Sequence, residues 1–483
     1  MTLDEGKVEA FMNSAAKAAD AIVETVKNGG LIHVFSHLDA DGIAAGGIIA
    51  KALYRLDARF QVQVTQWIED KIVGEIVEQK PQMVILTDLG SGYVDLLNEK
   101  LADFKIVILD HHQVTGKEGG SFVHVNPHLH GIDGARDISG AGVAYFTAKA
   151  MDKVNVDSSP VAIVGALGDM QDKYQRRMLC GLNEKIVEDA KATGLVAVEE
   201  DLTFFGRETR PIHKTLASTT SPFIPGISGE EDNSLAFLSS LGIKPKIDDK
   251  WRALRDLSEE EKKKLCSALA EYLLSKNIKY EVSNLIGQVY VLCREEPWTP
   301  LRDAREFAVL LNGTGRMDRP SLGIAVCMGD RGAALEEANK VLGDYRRSIN
   351  KYLGWVMEKP GRMRELDSIY VVNGEDFIND KIVGAISSIL SASLPNPEKP
   401  LIAYANVEGE GLAKISSRTI DAMTGKGLNL GEVMQIAAEK FQGKGGGHNV
   451  AAGAQVPIDS INDFIRVVNE LVGRQLKGEK IGS

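Results

Sequence analysis

The stretch HVFSHLDADGIAAG, residues 33–46, runs from an apolar segment into a histidine and two aspartates at alternate positions, His37, Asp39 and Asp41. In extended backbone alternate side chains share a face, so these three can converge on one point. Three such groups on one face repel one another or stay solvated unless something cationic sits between them. A calcium-loop reading of the D-x-D-G run fails. Aligning Gly42 with the glycine of an EF-hand puts His37 at the first ligand position and Ile48 where a bidentate glutamate belongs. For Asp39 and Asp41 by themselves, capping of the following helix is an equally good reading, because helix N-termini favour carboxylates.

Working outward, the same junction of apolar run and polar end recurs. LIHVFSH finishes in HLDADG, MVILTDLG in Asp88, KIVILDHH in Asp110, His111 and His112, and VAIVGALGD in Asp169. Short apolar runs separated by helical segments predict an α/β fold with a parallel sheet covered on both faces. On this reading all four runs are strands, and ligands collect beyond their carboxyl ends. Asp39, Asp41, Asp88, Asp110 and Asp169 at one edge repel strongly, and two divalent ions offset most of that charge. Mixed imidazole and carboxylate donors suit manganese, zinc or iron better than magnesium or calcium. Asp88, from the middle of the sheet, is the candidate bridge between two ions. His111 and His112 are adjacent and would point to opposite faces of a strict strand. The chain must therefore turn there, giving one imidazole to metal and the other to substrate.

The 483 residues exceed what one core organises, and the 44% hydrophobic and 25% charged fractions are those of a soluble globular protein. No membrane-length apolar run is present, and MTLDEGKVEAF lacks the pattern of a secretion signal, so a cytoplasmic protein without membrane association is expected. Cys180, Cys266, Cys293 and Cys327 form no C-x-x-C pair and read as buried thiols. A net charge of -11 argues against a general nucleic-acid coat protein, so any such contact is a local basic groove or is metal-assisted. Three domains are expected. Residues 1–200 form the parallel-sheet domain. Residues 201–365 form an inserted, largely helical module, in which Ser258 and Glu261 make a capping box and REEPWTPLRD is a proline-containing loop. Residues 366–483 restart a smaller α/β domain.

Taken together and in this order, HLDADG, TDLG, LDHH and GALGD resemble the four motifs of the DHH phosphoesterase superfamily, and KISSRT with GKGGGH resembles its DHHA1 companion domain. RDISGAGVAY, VGALGDMQD, FGRETRP and AREFAVLLNGTGR resemble more narrowly the archaeal RecJ-like proteins, including the GINS-associated nuclease. The resemblance implies a DHH domain, an inserted module and a DHHA1 domain. It puts His37 and Asp39 on one metal, Asp41, His111 and Asp169 on the other, and Asp88 between them. It turns His112 to the scissile phosphate, with Asp110 holding the imidazoles in place. In the last domain it has Ser417, Arg418 and the turn Gly445, Gly446, Gly447 and His448 grip the nucleotide beside the cut.

Glycine lets backbone N–H groups approach phosphate, although a Gly triplet alone reads as a turn, and GKGGGH lacks Walker A spacing. Arg136 and Ser139, ahead of GVAYF, are candidates for phosphate binding at a helix N-terminus, or an ordinary N-cap. Asn126, His128 and His130 either extend that site or line a solvent-facing loop. The implied activity is a single-strand-specific exonuclease using two divalent cations, Mn2+ or alternatively Mg2+ or Zn2+, on DNA or RNA, in replication or repair with GINS. A short-oligonucleotide or cyclic-dinucleotide phosphodiesterase and a replisome scaffold subunit stay open beside it.

Overall fold

The computed structural model describes residues 3–117, 122–219, 223–276, 278, 282–359 and 361–481. The chain divides into two compact units, Met1–Leu342 and Gly343–Ser483. The first begins with α1 (Glu5–Lys27), β1 (Leu31–His37), α2 (Ala40–Arg55), β2 (Arg59–Thr65), α3 (Asp70–Gln79), β3 (Met83–Thr87), α4 (Val94–Lys100), β4 (Ile106–Leu109) and β5 (Phe122–Val125). These strands make one sheet in the order β2-β1-β3-β4-β5 with every pair parallel. Strand order reverses between β1 and β3, so their carboxyl ends flank a switch-point crevice. Side chains alternate between the two faces. Ile32, Val34, Met83 and Ile85 enter one core, while Phe35, Val84, Leu86 and Ile108 pack with Ile72, Val73 and Ile76 of α3 and Leu97 of α4.

The next helices are α5 (Gly140–Met151), α6 (Ser159–Gly168) and α7 (Leu182–Ala192). The run VAIVGALGD is therefore a helix and not a strand, and Asp169 is its C-cap. Pro160 sits in the first turn, where its missing N–H is harmless. The helix is apolar all round because α2, α5, α7 and a later helix enclose it. Its glycines permit that enclosure, since a Cβ at Gly165 would come 2.4 Å from the Ala141 side chain and one at Gly168 2.6 Å from that of Ala40. A short apolar run of this kind has no periodicity that separates buried helix from buried strand.

From β6 (Val196–Leu202) the chain continues through α8 (Ile212–Ala217), α9 (Glu231–Ser240), the hairpin β7 (Lys246–Ile247) and β8 (Lys250–Trp251), and α10 (Glu259–Ser275). Strand β9 (Ile286–Leu292) returns antiparallel to β6. Leu216, Leu238, Leu254, Leu265 and Leu269 give this stretch its own core, and Ser258 and Glu261 form the expected capping box on α10. Then α11 (Ala304–Arg316) and α12 (Pro320–Met328) pack against α2, sending Phe307, Leu311 and Ile324 into the first core. Residues 201–365, expected as one helical insert, thus divide among separate cores, because helices that follow β9 match the small-residue face of α2. Of the four free cysteines only Cys327 is buried, and Cys293 is exposed rather than buried.

The second unit takes up the end of α13 (Ala333–Glu358), followed by β10 (Met363–Glu365), β11 (Tyr370–Asn373), α14 (Val383–Ser391), β12 (Leu401–Val407), β13 (Leu412–Arg418), α15 (Asp421–Thr424), α16 (Leu430–Glu439), β14 (Lys444–Gly447), β15 (Ala451–Pro457) and α17 (Ile461–Leu476). Its six strands run β10-β11-β12-β13-β15-β14, with only the β11–β12 pair parallel. Phe464, Ile465, Val468, Leu471 and Val472 line the buried face of α17 at helical spacing. Each contributes roughly 1.5–3 kcal/mol of burial, before the cost of ordering the chain.

Candidate metal centre

His37 is the last residue of β1, Asp88 follows β3, and Asp110, His111 and His112 follow β4. Parallel neighbours with matched register deliver these residues to one end of the sheet. The backbone is not extended as far as Asp41, however. It turns into α2 after His37, so strand alternation does not explain the convergence. Asp39 is the N-cap of α2, its Oδ1 accepting the Gly42 N–H at 3.1 Å, while Oδ2 lies 3.1 Å from His37 Nδ1. Capping and clustering are thus done by one carboxylate. Asp41 lies in the first turn of α2 and faces the N-terminus of α5, where Gly140 N–H donates at 2.6 Å and Ala141 N–H at 3.0 Å.

Asp88 holds a left-handed backbone, φ 57°, which aspartate tolerates better than most residues. Its two oxygens face different partners, Oδ2 lying 3.6 Å from His37 Nδ1 and Oδ1 3.3 Å from His111 Nε2. His111 Nε2 also lies 3.7 Å from Asp41 Oδ2 and 3.4 Å from Asp169 Oδ2. Ligand atoms of His37, Asp39 and Asp88 lie within 4.8 Å of one another, as do those of Asp41, His111 and Asp169, and those of Asp88, His111 and His112.

A divalent ion fits this donor set on two grounds. His37 Nδ1, Asp88 Oδ1 and His111 Nε2 are buried and make no hydrogen bond. His111 Nδ1 donates to the Gly134 carbonyl at 2.7 Å, which fixes the tautomer and leaves a lone pair on Nε2 toward three carboxylates. Charge is frustrated accordingly. Burial, then Asp88 and Asp169, push the Asp41 carboxyl well above its usual range, and burial, then Asp88, also push Asp169 up. Burial would lower His37, but Asp39 and Asp88 outweigh it and raise the imidazole to about 10. His37 in turn outweighs burial at Asp39 and holds that carboxyl below its usual range. Without a metal, Asp41 and Asp169 are the carboxyls that protons would have to balance.

Asp110 is buried and accepts N–H groups from Ser91 (2.9 Å), His111 (2.8 Å) and His112 (3.2 Å), besides His112 Nδ1 at 2.8 Å. Against the effect of burial, His112 keeps its carboxyl well below the usual range. Asp110 thus orients the imidazole of His112 but only the backbone of His111, whose ring Gly134 holds. The His112 side chain remains 43% exposed, so its ring can meet a substrate. The two rings do not point apart, since their centroids lie 4.4 Å from one another.

The remaining candidates fall elsewhere. Ser139 is buried as the N-cap of α5, its Oγ accepting the Gly142 N–H at 3.3 Å, and Asp41 already takes that helix N-terminus. Arg136 pairs with Asp137, Nε to Oδ1 at 2.8 Å. Asn126 is buried and donates to Ser91 Oγ and the His112 carbonyl, a brace for the turn after β4. His128 lies in a short helical turn whose first N–H Asn126 caps, and His130 packs edge-on against Phe11. In the second unit the buried Ser417 hydroxyl donates to the Ala452 carbonyl at 2.9 Å, and Arg418 Nε donates to Ser388 Oγ at 2.9 Å. Gly445 and Gly446 lie in edge strand β14 with Gly447, and His448 is exposed just beyond it. Gly447 has φ 138°, and a Cβ there would come 2.6 Å from Ala452 Cα.

Sequence reasoning missed the residues that make room. A Cβ at Gly140 would come 2.5 Å from Asp88 Oδ1, and one at Gly165 2.4 Å from Asp41 Oδ1. Asn312 of α11 accepts the Ala40 N–H at 3.1 Å, and a Cβ at Gly315 would meet the Leu38 carbonyl at 1.7 Å, so α11 braces the HLDADG loop. The signal lay in the glycines of RDISGAG, VGALGD and NGTGR.

A doubly covered parallel sheet with an imidazole–carboxylate cluster at its switch point, joined to a smaller sheet unit, defines a RecJ-like phosphoesterase fold. Residues 31–168 match the DHH family, N-terminal domain, residues 204–286 the DHH-CID domain and residues 367–474 the DHHA1 domain. The chain belongs to the DHH family. It is 32% identical over 470 residues to an uncharacterized protein of Methanocaldococcus jannaschii, covering 95% of this chain and 98% of that one. Among solved structures it is similar to RecJ in complex with Mn2+ from Thermus thermophilus, with a TM-score of 0.56 and 17% identity. That match takes in 95% of this chain, which spans 55% of the RecJ chain. CDC45 from Entamoeba histolytica matches with a TM-score of 0.64 and 12% identity over 98% of this chain and 100% of that one. No described helix is long and apolar enough to cross a membrane.

Proposed function

We propose that this chain is a metal-dependent exonuclease that hydrolyses single-stranded DNA or RNA to nucleoside monophosphates, acting in replication or repair with GINS. The observation that carries the reading is the division of Asp88, one oxygen toward His37 and the other toward His111. That is the donor pattern of two ions sharing a carboxylate, as in two-metal phosphoryl transfer. His37 and Asp39 would hold one ion, Asp41, His111 and Asp169 the other, and Asp88 both. When bound, the pair supplies Lewis acidity toward the phosphodiester and toward the attacking water. Manganese is our first choice, supported by the mixed donors and by the Mn2+ in the RecJ of similar fold.

The chain's own residues do the rest. Asp110 fixes His112 through Nδ1 and, outweighing burial, raises its affinity for a proton, so that Nε2–H is aimed outward. From there it can donate to a phosphate oxygen or return a proton to the departing one. Arg418 is the guanidinium we assign to substrate phosphate in the second unit.

The test is digestion of 5′-labelled and 3′-labelled single strands of DNA and RNA with Mn2+, beside the Asp88→Asn variant. Mononucleotides released from one end, and absent with the variant, are expected. A folded, metal-loaded protein that cuts no strand would remove the reading, and preference for dinucleotides across a chain-length series would replace it. Co-purification with GINS tests the partner separately.

A further inference from the structure

Between Tyr345 and Arg364 the sequence carries six cations, Arg346, Arg347, Lys351, Lys359, Arg362 and Arg364, against the single anion Glu358, in a chain of net charge -11. Tyr352 and Trp355 are interleaved with them. The bland reading is a solvated helix end with two rings packed beneath it. The second unit shows something more specific. Trp355 and Phe377 stack with centroids 4.7 Å apart and planes 18° from parallel, and Tyr352 meets Phe377 edge-on at 5.8 Å. Cations bracket the stack, the Arg362 guanidinium 3.9 Å from the Trp355 centroid and Lys351 Nζ 4.8 Å from that of Phe377.

Phe377 stays 36% exposed, so the stack reaches solvent. Lys351, beside it, is exposed, and a four-carbon stem gives its ammonium room to shift. Aromatic faces among cations, concentrated in one segment of an acidic chain, have the chemistry of base stacking with phosphate neutralisation. Duplex bases keep their faces covered, so the complement is a single strand.

We propose that Phe377, Trp355 and Tyr352, with Lys351 and Arg362, form a stacking platform for a base of single-stranded nucleic acid. An unpaired base takes the open face of Phe377, and Lys351 moves to the adjoining phosphate. The platform rests on the single-strand reading of the substrate and adds to it a binding site in the second unit distinct from Arg418 and the glycine turn.

The test is binding of a labelled single strand of about 12 nucleotides to the full chain by fluorescence anisotropy across a salt series, with chelator present to prevent cleavage. Phe377→Leu keeps an apolar side chain without the aromatic face. It should bind about tenfold more weakly at an unchanged unfolding temperature. Lys351→Ala should lower the log–log salt slope by about 0.7. Wild-type affinity in Phe377→Leu overturns the platform and leaves the exonuclease reading standing. Failure of the wild type to bind any single strand overturns the platform, and the digestion with Mn2+ then judges the exonuclease reading separately. Oligonucleotide binding unchanged in Phe377→Leu while polyglutamate binding is lost would reassign the patch to an acidic protein partner.

Discussion

His111 Nε2 lies 3.3 Å from Asp88 Oδ1, and neither atom makes a hydrogen bond. Because Gly134 holds the other ring nitrogen, what joins the pair must sit between Nε2 and Oδ1, a metal ion or, without one, a proton. Manganese should therefore raise the unfolding temperature of the wild type. The stabilisation is about 2.7 kcal/mol at a hundredfold excess over Kd. Asp88→Asn, which keeps the left-handed backbone tolerable, should lose that shift and at least ~10^3-fold in activity while unfolding no lower in the metal-free state. Calorimetry with and without Mn2+ checks this, and a wild-type manganese shift in the variant would exclude Asp88 as a ligand.

Gly140→Ala should behave oppositely to its helix propensity. Alanine in place of glycine ordinarily favours a helix by about 1 kcal/mol, but here the new Cβ would come 2.5 Å from Asp88 Oδ1. Metal affinity should fall about tenfold or more, with a lower unfolding temperature. Gly74 of α3 has nothing within 4 Å of its added Cβ, so Gly74→Ala is the matched control and should stabilise by about 0.5–1 kcal/mol. Equal metal affinity for Gly140→Ala and the wild type would dismiss the steric argument.

Asp110→Asn should separate turnover from metal loading. The carboxylate touches His112 Nδ1 and three backbone N–H groups, none of them a side-chain atom of the six residues assigned to hold the ions. We expect kcat to drop about 10–100-fold with metal stoichiometry by elemental analysis unchanged. Metal lost in proportion to activity would make Asp110 a structural support of the centre instead.

Glu261 offers a pH test away from the centre. Arg252 grips it with two hydrogen bonds, at 2.8 and 2.6 Å, and holds its pKa at about 2 against an ordinary 4.5. A folded-state value below the unfolded one stabilises above pH 4.5, and the gain disappears as pH falls toward about 2. Glu261→Gln should cost ~1 kcal/mol at neutral pH, the pair being partly solvent-screened. In urea titrations the gap should close as pH is lowered, whereas a gap independent of pH would assign the loss to packing.

The chemistry of the centre was legible in the linear chain because its residue types stand beside apolar runs whose length and periodicity announce buried strands. His37, Asp88 and His111 could be placed at strand ends on that pattern. Asp169 could not, since a helix buried on all sides and a buried strand look alike in sequence. Nor does local pattern distinguish a phosphate site from an N-cap, and the N-terminus of α5, a candidate for substrate, is occupied by Asp41 from 99 residues earlier.

By itself the sequence determined which donors exist, their order along the chain and the parallel sheet that carries most of them, because those follow from side-chain chemistry and short-range periodicity. Tertiary structure alone decided that Asp88 turns its two oxygens to different imidazoles. It also decided that glycines 140 and 165 clear space for carboxylates, and that Asn312, 272 residues from Ala40, braces the first loop. Those relations depend on the close approach of elements distant in the chain, and the excluded volume and hydrogen-bond geometry that govern such an approach come into being only when the chain is packed.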